Sequence, residues 1–185
     1  MDFFTQYEKH VKEREALGVP PLPLNEEQTR EVCELLKLES AHEREYLGLL
    51  SRRMPPMEPG GEGEAIIAAR LDENQKIVKR LVNLLANRVN PGVDDAAKVK
   101  AEFLNEIINH GLEISGLDKI AAVNLLRPML GGYSVIVLLE SLKNADEAVA
   151  QAACNVLKET IFVHDYFNDV AELAKSNKFA LEVLR

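Results

Sequence analysis

Asp72-Glu73-Asn74-Gln75-Lys76-Ile77-Val78-Lys79-Arg80-Leu81-Val82-Asn83-Leu84-Leu85-Ala86-Asn87-Arg88-Val89-Asn90-Pro91-Gly92 is the stretch that decides the fold class. Ile77, Val78, Leu81, Val82, Leu84 and Leu85 recur at the three- and four-residue spacing that gathers apolar side chains on one face of an α-helix. Asp72 followed by Gln75 has the pattern of a capping box, so a helix is predicted to open there. Asn90-Pro91-Gly92 then removes a backbone donor and supplies a turn, which ends it.

The same grammar extends in both directions. Downstream, a helix from about Asp95 carries Val99, Phe103, Leu104, Ile107 and Ile108, and Gly111 suits the left-handed residue after its end. Another from about Gly116 carries Ile120, Val123, Leu125, Leu126, Met129 and Leu130, with Pro128 imposing a kink or an early stop before Gly131-Gly132. Tyr133 to Leu142 is short and apolar, and its Val135, Ile136 and Val137 would suit a strand, but helical neighbours on both sides favour a buried helix. Asn144 followed by Glu147 caps a helix to about Thr160, and helical stretches follow at Tyr166 to Ala174 and from Lys178 onward. Upstream, Phe3 to Leu17 is predicted helical with Asp2 as its cap, and Gly18 stops it. Val19-Pro20-Pro21-Leu22-Pro23-Leu24 is an extended connector packed on the helices. Asn25 with Gln28 opens a second helix, and Ser40 with Glu43 a third that ends before Pro55. The Pro/Gly-rich stretch near 54–63 is the best hinge in the chain.

These segments predict an all-α fold of short antiparallel helix pairs joined by brief turns, the general design of a helical-repeat solenoid, an α-α superhelix filling residues 1–185 as one domain. An internal echo agrees, because Leu49-Leu50-Ser51-Arg52-Arg53-Met54-Pro55-Pro56 is answered 35 residues later by Leu84-Leu85-Ala86-Asn87-Arg88-Val89-Asn90-Pro91.

Composition narrows the function. The chain has 185 residues, 46% hydrophobic and 28% charged, with 22 basic against 30 acidic side chains and a net charge of −8. That sign argues against a nucleic-acid binder. The apolar runs are far short of the roughly 20 residues that span a bilayer, and the N-terminus lacks the features of a secretion signal, so the expectation is cytoplasmic. Cys33 and Cys154 are too few for a disulfide framework and read as reduced structural thiols. His42-Glu43-Arg44-Glu45-Tyr46 begins like a zinc-protease helix but has tyrosine where the second histidine belongs. Gly60-Gly61-Glu62-Gly63-Glu64 has no Lys-Ser/Thr for a phosphate. His10, His42, His110 and His164 are scattered, and Cys154 with His164 is a weak nucleophile and base pair because Cys154 lies on an alanine-rich apolar face. His164-Asp165-Tyr166-Phe167-Asn168-Asp169 reads as a capped turn with Phe167 anchored in the core. The residues alone thus give an acidic helical interaction module with no catalytic, cofactor or metal site.

Leu84-Leu85-Ala86-Asn87-Arg88-Val89-Asn90-Pro91-Gly92-Val93-Asp94-Asp95-Ala96-Ala97 with Val99-Lys100-Ala101-Glu102-Phe103-Leu104 resembles the N-terminal HEAT-like domain of the bacterial aconitase B family. Met129-Leu130-Gly131-Gly132-Tyr133-Ser134-Val135 followed by Leu138-Leu139-Glu140-Ser141-Leu142 resembles that family's Gly-Gly-Tyr turn and helix, with Ser134 in place of an asparagine. Phe167-Asn168-Asp169-Val170 with Ala174-Lys175-Ser176-Asn177 resembles its closing segment, and Tyr7 to Leu24 its opening. Between about Leu38 and Lys79 the chain is longer than the family pattern, so contacts made there in relatives cannot be transferred.

The resemblance implies a longer parent that dehydrates citrate to cis-aconitate and rehydrates it to isocitrate on a [4Fe-4S] cluster, with 2-methyl-cis-aconitate processed by some relatives. Such a cluster takes three cysteine thiolates, so its ligands and the catalytic apparatus are expected downstream of Arg185. The family's domain is implicated in protein recognition, dimerisation and access to the active site. The expected partners are therefore the downstream catalytic domains, a second copy, or other metabolic enzymes. A role for the parent on mRNA has no support in the charge of this segment, and no membrane partner is expected. The rival is a standalone helical scaffold or adaptor, which an open reading frame ending at Arg185 would favour, whereas continuation into a cysteine-bearing domain would favour the aconitase. Repeat helices spend their apolar faces on one another, which leaves loops for recognition. The candidate surface is the turn holding Arg88, Asn90, Asp94 and Asp95 together with the turn holding Gly131, Gly132 and Tyr133. The alternative is that the glycines only end helices while Tyr133 packs inward.

Overall fold

A computed structural model describes residues 2–52, 60–160 and 165–185. Among the described residues the regular elements are helices: α1 (Phe3–Ala16), α2 (Glu26–Arg52), α3 (Glu62–Asn87), α4 (Asp95–Asn109), α5 (Lys119–Leu126), α6 (Tyr133–Ser141), α7 (Glu147–Glu159), α8 (Phe167–Ala174) and α9 (Lys178–Val183). Ile114 and Leu117 form an isolated bridge, and no strand is present among the described residues.

Side chains satisfy orphan backbone groups at the starts of α2, α4, α5, α7 and α9, whereas Asp2, the expected cap of α1, makes no side-chain cap hydrogen bond. The capping box before α2 is reciprocal: Gln28 N–H donates to Asn25 Oδ1 at 2.9 Å and Asn25 N–H to Gln28 Oε1 at 3.1 Å. Asp94 accepts from Ala97 N–H at 2.8 Å, and Asp118 accepts from Ala121 N–H at 2.8 Å. Gly18 and Gly111 end helices at φ 69° and 81°, where a glycine meets no Cβ penalty. The Val19 to Leu24 connector is extended as expected. His10 Nε2 accepts from Leu22 N–H at 3.1 Å, and Arg14 Nε donates to the Pro20 carbonyl at 3.1 Å.

Two predicted helix starts are absent. Ser40 lies inside a continuous α2, fully buried, donating back to the Leu36 carbonyl at 2.7 Å and accepting from Ser115 N–H at 2.9 Å. It pins a distant loop instead of opening a helix. Asp72 lies inside α3 and bonds Lys76 Nζ at 2.6 Å, one turn along. The expected cap of α7 moves two residues: Asp146 accepts from Ala148 N–H at 2.9 Å, while Asn144 Oδ1 accepts from Asp146 N–H at 3.0 Å. The helix at 116 starts only at Lys119 and stops at Leu126, before Pro128. Phe167 is 58% exposed and anchors no core, and the half-buried Tyr166 packs there in its place. Most of the hinge near 54–63, the second half of the internal echo's first copy, and His164 lie outside the described residues.

Packing is pairwise and sequential. α2 lies against α3 and α4; α4 meets α5 and α6; α5 and α6 both meet α7; α7 and α8 both meet α9. Adjacent pairs α4/α5, α6/α7 and α8/α9 therefore stack, with α5, α7 and α9 along one layer. Leu36, Leu81, Leu85, Leu104, Ile107, Ile108, Leu126, Leu138, Leu142 and Leu157 are essentially without exposure and form one continuous core. Each contributes ~1.5–3 kcal/mol by removal from water. α1 closes one end, where Phe3 stacks on Tyr7 at 6.1 Å, Arg80 of α3 sits 4.2 Å above the Phe4 ring, and Arg80 also pairs with Glu8.

An asparagine series ties the pairs together. Asn74, Asn109 and Asn144 recur every 35 residues, and Asn177 follows 33 later. Asn74 Nδ2 donates to the Glu39 carbonyl at 3.1 Å, and Asn109 Nδ2 to Ser141 Oγ at 3.1 Å. Asn144 Nδ2 donates to the Ile108 carbonyl at 3.0 Å, and Asn177 Nδ2 to the Leu142 carbonyl at 2.8 Å. The last two satisfy carbonyls at the ends of helices one pair earlier. By contrast, the outer parts of the α2 and α3 hairpin, residues 41–51 and 60–73, contain no buried residue, and Leu47 and Ile66 are exposed there.

Candidate interaction surface

The two turns expected to act in recognition are brought together. Leu130 N–H donates to the Pro91 carbonyl at 3.2 Å. Gly132 has φ 63°, and a Cβ built on it would lie 2.7 Å from Val93 Cγ1, so the close approach of the turns requires glycine there. Val93 (68% exposed) and Leu130 (43% exposed) present adjoining apolar side chains on the joint rim.

The individual residues divide between this rim and its support. Arg88 turns inward: its Nη2 donates to the carbonyls of Pro21 at 2.9 Å and Leu22 at 3.3 Å, and its own carbonyl accepts from Leu24 N–H at 2.7 Å. It clamps the proline connector. Asn90 Nδ2 donates to Asp94 Oδ2 at 3.2 Å, and Asp94 also caps α4. Asn90, Asp94 and the first-turn Asp95 are exposed. Gly131 is buried, Gly132 is half-buried, and Tyr133 packs half-buried against the core. Ser134 is buried and donates to the Gly131 carbonyl at 3.2 Å.

A second concave feature was not anticipated by the sequence. Between α6 and α8, floored near Asn109 and Asn144, lies an open groove of about 1180 Å³. Ile136 and Leu139 line its α6 wall, and Tyr166, Asp169 and Leu173 its α8 wall, while Lys119 and Lys143 stand at its edge. Ile136 and Leu139 on α6, with Lys143 just past its end, face Asp169 and Leu173 on α8, with Tyr166 at its N-cap, a pairing that needs the fold to become visible.

The chemically reactive groups are dispersed. Cys33 and Cys154 are free and buried on α2 and α7. Burial pushes the Cys33 thiol up to about 12 and raises that of Cys154. Cys154 Sγ also donates to the Phe179 carbonyl at 3.4 Å, as befits a core thiol. Lys100 on α4 is 2% exposed, and burial lowers its ammonium to about 8. His42 contacts Glu39, which also accepts from Asn74, and His110 contacts Glu140, with Asn105 beside both. Among the described residues no three His, Cys, Asp or Glu side chains stand together to hold a metal, and no helix is long and apolar enough to cross a membrane.

The fold and these surfaces define an all-helical domain of stacked helix pairs whose outward features are turns and a groove. The chain matches the family described as "Aconitate B N-terminal domain" over residues 6–71 and 62–185, and it belongs to that family. It is 38% identical over 178 residues to the aconitate hydratase B of Synechocystis sp., covering 96% of this chain and 17% of that relative. The aconitate hydratase B of Helicobacter pylori is 34% identical over 183 residues, 99% of this chain and 17% of its own length. That of Pseudomonas aeruginosa is 38% identical over 174 residues, covering 94% and 16%. The chain thus spans about one sixth of the curated relatives it matches.

Proposed function

We propose that this chain is the recognition and assembly domain of a cytoplasmic bacterial aconitate hydratase B, acting through the joined turns at Val93 and Leu130. The observation that carries the reading is the family match over nearly the whole chain, combined with two turns whose close approach needs glycine at Gly132. The stacked pairs α4/α5, α6/α7 and α8/α9 support a HEAT-like superhelix, with the 35-residue asparagine spacing as its period.

The parent would interconvert citrate and isocitrate through cis-aconitate, and extend to the 2-methyl substrate. An aconitase's [4Fe-4S] cluster does not fit the residues of this chain. It takes three convergent thiolates, whereas Cys33 and Cys154 are two, separately buried and held protonated by burial. Its ligands belong to another part of the parent, so this chain alone neither binds a cluster nor turns over citrate. Its partners in this reading are the catalytic domains of its own chain and a second copy or another metabolic enzyme.

The test replaces exposed residues whose side chains make no hydrogen bond or ion pair among the described residues: Val93→Glu with Asp95→Lys in the full-length parent. Weaker dimerisation by sedimentation, or lower citrate turnover, with an unchanged melting temperature of the 185-residue chain supports the reading. Unchanged assembly and turnover, or a loss that merely tracks lost stability, overturns it. Arg88 is the wrong probe here because removing it frees the connector.

A further inference from the structure

α6 reads Tyr133-Ser134-Val135-Ile136-Val137-Leu138-Leu139-Glu140-Ser141, apolar nearly all round. A helix of that composition is buried on every side in a finished structure. Val135, Val137 and Leu138 are buried against α4 and α7, yet Ile136 is 54% exposed at the groove between α6 and α8. The volume of about 1180 Å³ would hold some two to three turns of a helix ~10 Å across.

The charges around this groove are unevenly satisfied. Glu140 is taken by His110 and Asn105, and Glu172 by Lys175. Lys119 and Lys143 have no hydrogen-bond or ion-pair partner among the described residues, although the chain as a whole carries a net charge of −8. On the opposite wall Asp169 is likewise unpaired among the described residues. The missing partner therefore has an apolar stripe for Ile136, Leu139 and Leu173, carboxylates on the side of Lys119 and Lys143, and a cation on the side of Asp169.

We propose that the groove between α6 and α8 docks an amphipathic protein helix of this description, carboxylates toward Lys119 and Lys143. The proposal rests on the domain being a recognition module but uses a surface separate from the two turns. Helix-in-groove recognition supplies affinity through the apolar stripe, and the flanking charges fix its direction.

The probe is a fluorescein-labelled helical peptide of about four turns, with leucines at i, i+3, i+4 and i+7, a glutamate row on one flank and a lysine on the other. It is titrated with the 185-residue chain and followed by anisotropy. Saturable binding is expected, weakened about tenfold or more by Lys119→Glu with Lys143→Glu and by Ile136→Asp. A peptide carrying lysines in place of the glutamate row reverses the preference, binding the charge-reversed variant better than the wild type. Lys119 and Lys143 make no hydrogen bond or ion pair among the described residues, so the melting temperature of their double variant stays unchanged and its reversed peptide preference reads docking apart from stability. No saturation below about 1 mM, equal binding of both peptides, or indifference to the variants overturns the proposal. Val93→Glu with Asp95→Lys leaves peptide binding intact. If those substitutions impair assembly of the parent while the peptide fails to bind, the groove alone is overturned and the assembly role stands.

Discussion

Replacing Lys100 with methionine should stabilise this protein, although it removes a charge from the middle of a helix. Lys100 lies on the buried face of α4 beside Ala96, Ala97 and Leu104, 2% exposed, with no hydrogen bond or ion pair among the described residues. Burial moves its pKa from 10.5 to about 8, a shift that disfavours the charged form by ~3 kcal/mol. Methionine keeps the length of the stem and removes the desolvation cost, so Lys100→Met should add ~1–3 kcal/mol at neutral pH. The dependence on pH has a definite sign. Between about pH 8 and 10.5 the unfolded chain holds the Lys100 proton and the folded chain does not, so stability of the wild type rises with pH. The gain is about 1 kcal/mol between roughly pH 7 and 9, and the variant lacks it. Cys33 works in the opposite direction: its thiol ionises near 9 when unfolded and near 12 when folded, so stability falls as pH rises above about 9. Urea unfolding followed by far-ultraviolet circular dichroism at pH 7, 8 and 9 isolates Lys100 when both proteins also carry Cys33→Ala, because Cys33 and Lys100 influence each other's ionisation. A variant no more stable than the wild type at pH 7, or a difference that stays constant up to pH 9, would refute the reading of Lys100 as a cation disfavoured by desolvation.

Three further outcomes follow from the same packing. Gly132→Ala should cost ~1–3 kcal/mol, because it combines φ 63° with a contact on Val93 Cγ1; adding Val93→Ala should recover only the steric part, as thermal melts of the single and double variants will show. Asn144→Ala leaves the Ile108 carbonyl unsatisfied and should cost ~1–3 kcal/mol, whereas Asn87→Ala on the exposed side of α3 should cost under ~0.5 kcal/mol; urea titrations rank the two. Cys33 and Cys154 should react with Ellman's reagent slowly in the native protein and fully in urea, since the thiolate is the reactive form and burial raises both pKa values.

The all-helical class was legible because the apolar spacing is long-lived and the stops are strong. Gly111 and the Asn25 to Gln28 box each act through neighbours within four residues, so local sequence contains the whole cause. Ser40 and Asp72 misled for a definite reason. A capping pattern states only that a side chain can reach a nearby N–H, and Ser40 bonds Leu36 and Ser115 while Asp72 bonds Lys76. The tertiary pairing of α2 with α3 decided that both helices continue. Both turns proposed for recognition were chosen from their glycines, their polar groups and the family resemblance, but Arg88 turning inward depends on carbonyls 66 and 67 residues away. The asparagine series was open to detection, since Asn74, Asn109 and Asn144 stand at the same 35-residue interval as the echo at Leu49 and Leu84. The groove was not, because the walls at Ile136 and Tyr166 come from helices whose separation no linear pattern records.

The outer half of the α2 and α3 hairpin stands outside the core, and this makes it the place where the family can change length. A residue added to each arm there lengthens two helices without moving any of the buried side chains at Val32, Cys33, Leu36, Val78 or Leu81. The cost is confined to ordering exposed backbone. The two stretches that match the family, 6–71 and 62–185, overlap within this hairpin, in the region where the sequence reading expects extra length. Amide protons of residues 41–51 and 60–73 should therefore exchange through local fraying, well before those of α4 and α7. Evolution can extend or trim such a spur independently of the body that carries it.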